Sequence, residues 1–179
     1  MKKTKVTFAL FFGNRGFFPG EVIASARKEM IAAVTKNGFD YICMDESLTR
    51  YGAVETRAEG KKYAAFLEEN RGKFDGIILC MPNFSDENGA AEALKGIDVP
   101  VLVQAYPDEL GKMDFAQRRD TVCGKFAMCH VLRQCKIKFT LTKKMAVSPS
   151  EEAFSEDLKH FGAICRIVKG MKSFSIGAM

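Results

Sequence analysis

The sequence predicts a doubly wound α/β fold, a mainly parallel sheet with helices on both faces, of the Rossmann-like or flavodoxin-like kind. Three observations predict it. Residues 6–12 (VTFALFF) and Gly76–Met81 (GIILCM) are short, continuous apolar runs, the pattern of strands covered on both faces. Each run breaks into a polar loop, Gly13-Asn14-Arg15-Gly16 after the first and Pro82-Asn83-Phe84-Ser85-Asp86-Glu87 after the second. Between the strands lie stretches whose apolar residues recur at helical spacing, and that alternation calls for parallel strands joined by right-handed crossovers.

The elements follow in order. Pro19 suits the first position of a helix and Glu21 its first turn, while Val22, Ile23, Ala26, Met30, Ala33 and Val34 recur with helical period. Asn37-Gly38 stops that helix. Residues 41–44 make a short second strand. A second helix runs from Thr56 to about Lys73, with Tyr63, Phe66 and Leu67 inward and Lys61, Lys62, Glu68 and Glu69 outward. After the Gly76–Met81 strand comes an alanine-rich helix over about residues 87–94, then a fourth strand over residues 99–105, whose early Pro100 suits only a strand start or an edge. A helix over about residues 118–135 takes Val122, Phe126, Cys129 and Leu132 into the core, and residues 139–141 form a brief fifth strand. Ser148-Pro149-Ser150-Glu151 matches a capping box with proline at the first helical position. The last helix carries Phe154, Leu158, Phe161, Cys165 and Val168 on one stripe. Residues 173–179 (SFSIGAM) read as the beginning of another strand. The expected organisation is an amino-terminal α/β domain over residues 1–172, with residues 173–179 starting a strand of a second domain that this chain lacks.

At 179 residues the chain can bury a core without disulfide or metal staples. Its net charge of +5 comes from 27 basic and 22 acidic residues mixed along the sequence. The basic clusters at 2–5, 118–119 and 136–144 do not interleave with aromatics, which argues against nucleic acid as a partner. No apolar run approaches the ~20 residues of a membrane helix. Met1-Lys2-Lys3-Thr4-Lys5 reads as a charged start to the first strand rather than a leader, because no small-residue cleavage site follows. The six cysteines form no C-x-x-C pair, and Cys43, Cys80, Cys129 and Cys165 sit within apolar patterns. They read as reduced thiols, and the expected location is the cytoplasm.

The first loop is neither G-x-G-x-x-G nor a P-loop, so nucleotide binding loses its strongest support. A turn before a helix still favours oxygen-rich ligands, and Arg15 is either an exposed turn arginine or a planar fork for hydroxyls or a carboxylate. In the second loop, Asn83, Ser85, Asp86 and Glu87 suit a polyol, whose hydroxyls both donate and accept. Equally, Ser85 or Asp86 can cap the short helix while Glu87 complements its dipole. His130 and His160 lie in helical patterns without metal-ligand spacing. Asp120 can stand at a helix N-cap, and Cys123 has no neighbouring base to make it a nucleophile.

Taken together, GNRG after the first strand, MPNFSDENGA after the third and QAYPDE after the fourth occur in a telling order. RRDTVCGKFAMCHVLRQCKIKFTLT and SEEAFSEDLKHFGAICRIVKGMKSFSIGAM follow. Across nearly its whole length the chain resembles the amino-terminal region of the L-fucose/L-arabinose isomerase-like family. Asp120-Thr121-Val122-Cys123-Gly124 and the closing helix into Ser175-Ile176-Gly177-Ala178 are the most specific pieces. The resemblance implies a cytoplasmic, three-domain sugar isomerase that interconverts aldoses and ketoses through an enediol. The full-length family uses a divalent cation, usually manganese, held by glutamate, aspartate and histidine beyond this chain, which itself carries no cofactor.

By the same resemblance the partners are the sugar substrate and other copies in a homo-oligomer, with the first domain leaning a loop into a neighbour's active site. Arg15 matches the family's substrate-contacting arginine, and Asn83 and Phe84 lie on a second loop of the same crevice. The candidate substrate-binding residues are therefore Asn14, Arg15, Asn83, Phe84 and Asp86, with none catalytic and none ligating metal. Unlike some members, the chain has no tryptophan to wall the sugar. Alone it is expected neither to bind manganese at an isomerase site nor to turn over an aldose. A competing reading, a stand-alone flavodoxin-like or sugar-binding module without catalysis, draws on the same two loops.

Overall fold

Five parallel strands form one sheet in the order β2-β1-β3-β4-β5, and helices cover both of its faces. The computed structural model describes residues 5–175. The strands are β1 (Thr7–Phe12), β2 (Asp40–Cys43), β3 (Gly76–Met81), β4 (Val101–Ala105) and β5 (Thr140–Leu141). The helices are α1 (Val22–Lys36), α2 (Arg57–Glu69), α3 (Glu87–Ala93), α4 (Thr121–Gln134) and α5 (Glu152–Met171). This is the doubly wound α/β architecture that the apolar runs predict.

Strand alternation sorts the core into two layers. Phe8, Leu10 and Phe12 of β1, with Ile78, Cys80 and Leu102, meet α1 and α5 through Ile23, Met30, Phe154, Leu158 and Phe161. Ala9 and Phe11, with Ile77, Leu79, Met81, Val101 and Val103, meet α2, α3 and α4 through Tyr63, Leu67, Ala90, Ala93, Met128 and Leu132. All six residues of β3 are buried, which is why that strand reads as an unbroken apolar run. Gly76 opens it because α5 lies close there: a Cβ would reach within 2.5 Å of Cys165 Sγ.

The strand order places a switch point between β1 and β3. The chain goes from β1 to β2 on one side, then returns to β3 on the other, paired from Phe8↔Gly76 to Phe12↔Cys80. Loops leaving the carboxyl ends of the strands diverge there and leave a crevice. A parallel bridge between Gly13 and Val54 continues the sheet toward that end.

Several local expectations need correction. Pro19 does not open α1, which starts at Val22; Pro19's carbonyl instead accepts a hydrogen bond from Asn83 Nδ2 (3.0 Å) and is held in the crevice loop. α2 keeps its start, where Thr56 and Glu59 form a reciprocal capping box, but ends at Glu69 because the amide of Asn70 closes on Phe66. The box expected at the start of α5 is half made. Glu151 accepts from Ser148 N–H (2.9 Å), whereas Ser148 Oγ takes Ser150 N–H, and the helix begins at Glu152.

Phe126 is exposed rather than buried, and Val122 and Cys129 are half-buried. The inward side of α4 is Thr121, Gly124, Lys125, Met128 and Leu132. Gly124 fixes that rotation, since a Cβ there would overlap the carbonyl of Phe84. Lys125 is consequently 1% exposed, and its Nζ donates to Thr142 Oγ1 (2.9 Å) and to the carbonyl of Met145 (2.8 Å). Arg27 on α1 is buried too, donating to the carbonyls of Met44 and Gly52, so it fastens the segment between β2 and α2.

Of the strand expected at residues 173–179, Ser173 lies in a turn, Phe174 and Ser175 are not in a strand, and 176–179 lie outside the described residues. Lysines 2 and 3 of the basic start lie outside them as well. Among the described residues no helix is long and apolar enough to cross a membrane.

Candidate functional site

The crevice is built from the loops that leave β1, β3 and β4. The first is stitched into the sheet by its backbone. Gly13 N–H donates to the Cys80 carbonyl (3.0 Å), Asn14 N–H to Val54 (3.0 Å), and the Asn14 carbonyl accepts from Asp86 N–H (2.9 Å). A loop so restrained holds its side chains in fixed directions.

Behind the loop surface stand Asn14 and Asn83, 1% and 0% exposed. Asn83 Nδ2 donates to Asn14 Oδ1 (2.7 Å) and to the Pro19 carbonyl (3.0 Å), while its Oδ1 accepts from Ser85 N–H (3.1 Å). Asn14 Nδ2 donates onward to Glu55 Oε2 (2.9 Å). The two amides thus join three segments of chain in a satisfied buried network, which makes them positioning groups for the loops. Ser85 sits at φ 63, a left-handed conformation uncommon for serine, and that bond from its N–H to Asn83 helps hold it there.

Arg15 and Phe84 form the face of the crevice. The Arg15 guanidinium lies 4.8 Å from the Phe84 ring centroid and 5.9 Å from that of Phe17. Its Nη1 pairs with Glu87 Oε2 at 3.0 Å. Phe84 in turn stacks on Phe18, with centroids 5.3 Å apart. Held by an aromatic face and a carboxylate, the half-buried guanidinium keeps most of its five donors for a ligand. Asp86 takes its capping role, accepting from Gly89 N–H at 2.7 Å, and Glu87 lies in the first turn of α3 while bonded to Arg15.

The third wall follows β4. Asp108 Oδ1 accepts from the backbone N–H groups of Arg119 and Asp120, both at 2.9 Å. Arg119 Nη1 donates to the Pro82 carbonyl (3.1 Å), Nη2 pairs with Glu109 (2.6 Å), and its guanidinium lies over Tyr106 at 5.1 Å. Hydrogen bonds from Lys112 and Arg119 hold the Glu109 carboxyl down to about 2. Asp120 occupies the N-cap position of α4 at φ 54 but makes no side-chain cap. Beside it, Cys123 is exposed and its thiol is pushed up by the Asp120 carboxylate, the opposite of an activated nucleophile.

The structure brings Asn14, Arg15, Asn83, Phe84 and Asp86 into one region, the first four in direct contact or one residue removed. Glu55, Phe17 and Phe115 join them without having been singled out in the sequence, and so do Arg118 and Arg119, read there only as a basic cluster. For Phe17 the legible signal was a Phe-Phe pair inside an otherwise polar, glycine-marked loop. His130 and His160 are exposed on α4 and α5, away from this network. Among the described residues no group of three or more His, Cys, Asp or Glu could hold a metal ion, so the residues present do not fit a manganese centre.

Two concavities of about 300 and 470 Å³ lie at the opposite end of the sheet, around Ile97–Pro100 and the last turns of α5. The charged rim of the first is largely paired within itself, as in Lys169–Asp75 and Lys172–Asp98. That end holds the starts of β3 and β4, not the loops that leave their carboxyl ends, and we favour the crevice as the site on that ground.

No curated protein matches the chain at a significant level. Residues 9–172, which run from within β1 to the end of α5, match the family model described as the fucose/sulfoquinovose isomerase N-terminal domain, and the chain belongs to that family.

Proposed function

We propose that this domain supplies one wall of the substrate crevice of a metal-dependent aldose–ketose isomerase, recognising the sugar rather than transforming it. The observation that carries the reading is Arg15. It is a half-buried guanidinium at the switch point, fixed by Phe84 and Glu87, with donors left over for sugar hydroxyls. Phe84 offers an apolar surface to sugar C–H groups, whose partial positive charge suits the negative face of an aromatic ring. Asn14, Asn83 and Asp86 hold those two in place.

The reaction of such an isomerase moves a proton between adjacent carbons through an enediol. A divalent cation, manganese by resemblance, would supply the polarisation of the two oxygens from a site that the described residues do not form. Its ligands and the proton-transferring groups belong, in this reading, to domains outside the chain. The exposed rings at the crevice mouth suit burial against another copy or a following domain, in keeping with a homo-oligomer. Six free thiols are compatible with a reducing compartment such as the cytoplasm.

Calorimetric titration with L-fucose tests the reading. The expected result is weak saturable binding that falls at least roughly tenfold in Arg15→Ala, the loss of one or two charge-assisted hydrogen bonds. Binding of equal strength in wild type and Arg15→Ala would overturn it.

A further inference from the structure

From the end of α4 through β5 the chain is basic throughout. Residues 133–144 carry Arg133, Lys136, Lys138, Lys143 and Lys144 and no acidic residue. Of these cations, only Lys144 has an ion-pair partner among the described residues, the carboxylate of Glu151. Lys136 and Lys138 are exposed and stand on the rim of the concavity of about 470 Å³. Ile97, Val99, Pro100, Phe139, Ile164 and Val168 give that groove an apolar lining. The one carboxylate in its wall, Asp98, is already held by Lys172 at 2.8 Å. The groove therefore pairs an apolar floor with a positive rim that nothing nearby neutralises.

Lys136 stands in a place that helices usually give to glycine. Its φ is 58, in the left-handed region, and it follows the C-cap Cys135 of α4. Its N–H donates to the Arg133 carbonyl (3.0 Å) and that of Ile137 to the Leu132 carbonyl (2.9 Å), which closes the helix around it. The helix dipole favours a cation there and supplies one reason for a lysine. It supplies none for Lys138, or for the lack of any acid along the stretch.

β5 is also the end of the sheet. Thr140 and Leu141 pair with Leu102 and Val103 on one side, and among the described residues no strand pairs on the other. Lysines beside an open edge discourage pairing with a like edge. A second copy would bring this row of cations against its own kind, whereas a chain bearing carboxylates is drawn to it. An extended chain can meet both features, because its side chains alternate in direction while its backbone follows the edge.

We propose that the β5 edge and its groove are the docking surface for an extended acidic segment of a partner protein. Apolar side chains of the segment occupy the groove, its carboxylates face Lys136 and Lys138, and its backbone runs beside Thr140 and Leu141. The groove lies at the other end of the sheet from Arg15, and the proposal is independent of the sugar reading.

Fluorescence anisotropy of the 179-residue protein with labelled octapeptides tests it. The probes are a peptide alternating glutamate with leucine and valine, its lysine-for-glutamate counterpart, and octaglutamate. Double-stranded DNA and decanoate serve as competitors. The acidic–apolar peptide is expected to bind at least roughly tenfold more tightly than either other peptide, with an affinity that falls as salt rises. Lys138→Glu and Ile164→Gln each weaken it roughly fivefold or more. Lys136→Gly weakens it as well, while thermal unfolding stays the same or rises by up to about 4 °C, since glycine relaxes the left-handed position. That opposition separates a lysine kept for binding from one kept for the fold. Equal binding of the acidic and basic peptides, or binding untouched by Lys136→Gly and Lys138→Glu, overturns the proposal. So does octaglutamate or DNA binding as tightly as the acidic–apolar peptide, which would reduce the surface to a general attraction for polyanions. Decanoate binding where no peptide binds would make the groove a small-molecule pocket and overturn it too.

Discussion

Asn83 Nδ2 donates to Asn14 Oδ1 across 2.7 Å, joining residues 69 apart in sequence at the point where the winding of the sheet reverses. The bond links the loop after β1 to the loop after β3, and both amides lie under the surface that carries Arg15 and Phe84. Replacing Asn83 with Ala would leave Asn14 Oδ1, the Pro19 carbonyl and Ser85 N–H without this partner in a buried place. We predict a loss of roughly 2–4 kcal/mol in urea unfolding, from unsatisfied buried groups at about 1–3 kcal/mol each with partial relaxation. A loss under 0.5 kcal/mol would show that the network does not hold the loops.

Gly124 sets how closely α4 approaches the β3 loop. Gly124→Ala forces its methyl group into the Phe84 carbonyl, which is backbone and cannot swing aside. The expected cost is about 1–3 kcal/mol, together with shifted backbone resonances at Phe84 and Ser85. Gly170, near the end of α5, has open space around it, so Gly170→Ala should be neutral or stabilise by up to about 1 kcal/mol. Thermal unfolding of the two variants side by side reads the difference.

Cys165 lies buried between α5 and the start of β3, and burial pushes its thiol from 9.0 up to about 12. Its folded value is raised, so its contribution to stability is complete below pH 9 and declines as pH rises from 9 toward 12. The slope for one such group is about 1.4 kcal/mol per pH unit. We predict that Cys165→Ala, although destabilised at pH 7 by the lost sulfur, closes much of its gap to wild type between pH 9 and 11. Buried Lys125 acts in the other direction. Burial lowers its folded value below 10.5, so it favours the folded state increasingly as pH climbs from that folded value to 10.5. Unfolding curves of Cys165→Ala that stay parallel to wild type across pH 8–11 would contradict the assignment to Cys165.

Much of the fold was legible because the relevant signals are local. Gly76–Met81 is buried on both faces and carries six consecutive residues without a charge, so its bounds could be read directly. Thr56 and Glu59 lie three residues apart and announce the start of α2 by themselves. The misread positions are those decided by distant partners. Pro19 looks like a helix opener, yet its carbonyl is claimed by Asn83, 64 residues away. Phe126 is the more apolar neighbour of Lys125, yet the close approach of Gly124 to Phe84 turns the lysine inward and the phenyl ring out. In the crevice, Arg15 could be proposed from its place after an apolar strand. Its aromatic support and the division between contacting and positioning residues depend on loops that meet only in the folded sheet.

The most direct test of the crevice is an amide ¹H–¹⁵N spectrum of the protein titrated with L-fucose. A sugar held between the β1 and β3 loops shifts the resonances of Gly13, Asn14, Arg15, Phe84 and Ser85, and leaves Ile97, Asp98 and Val99 at the far end of the sheet unmoved. Shifts confined to Ile97–Val99, or none at either end up to saturating sugar, would contradict it.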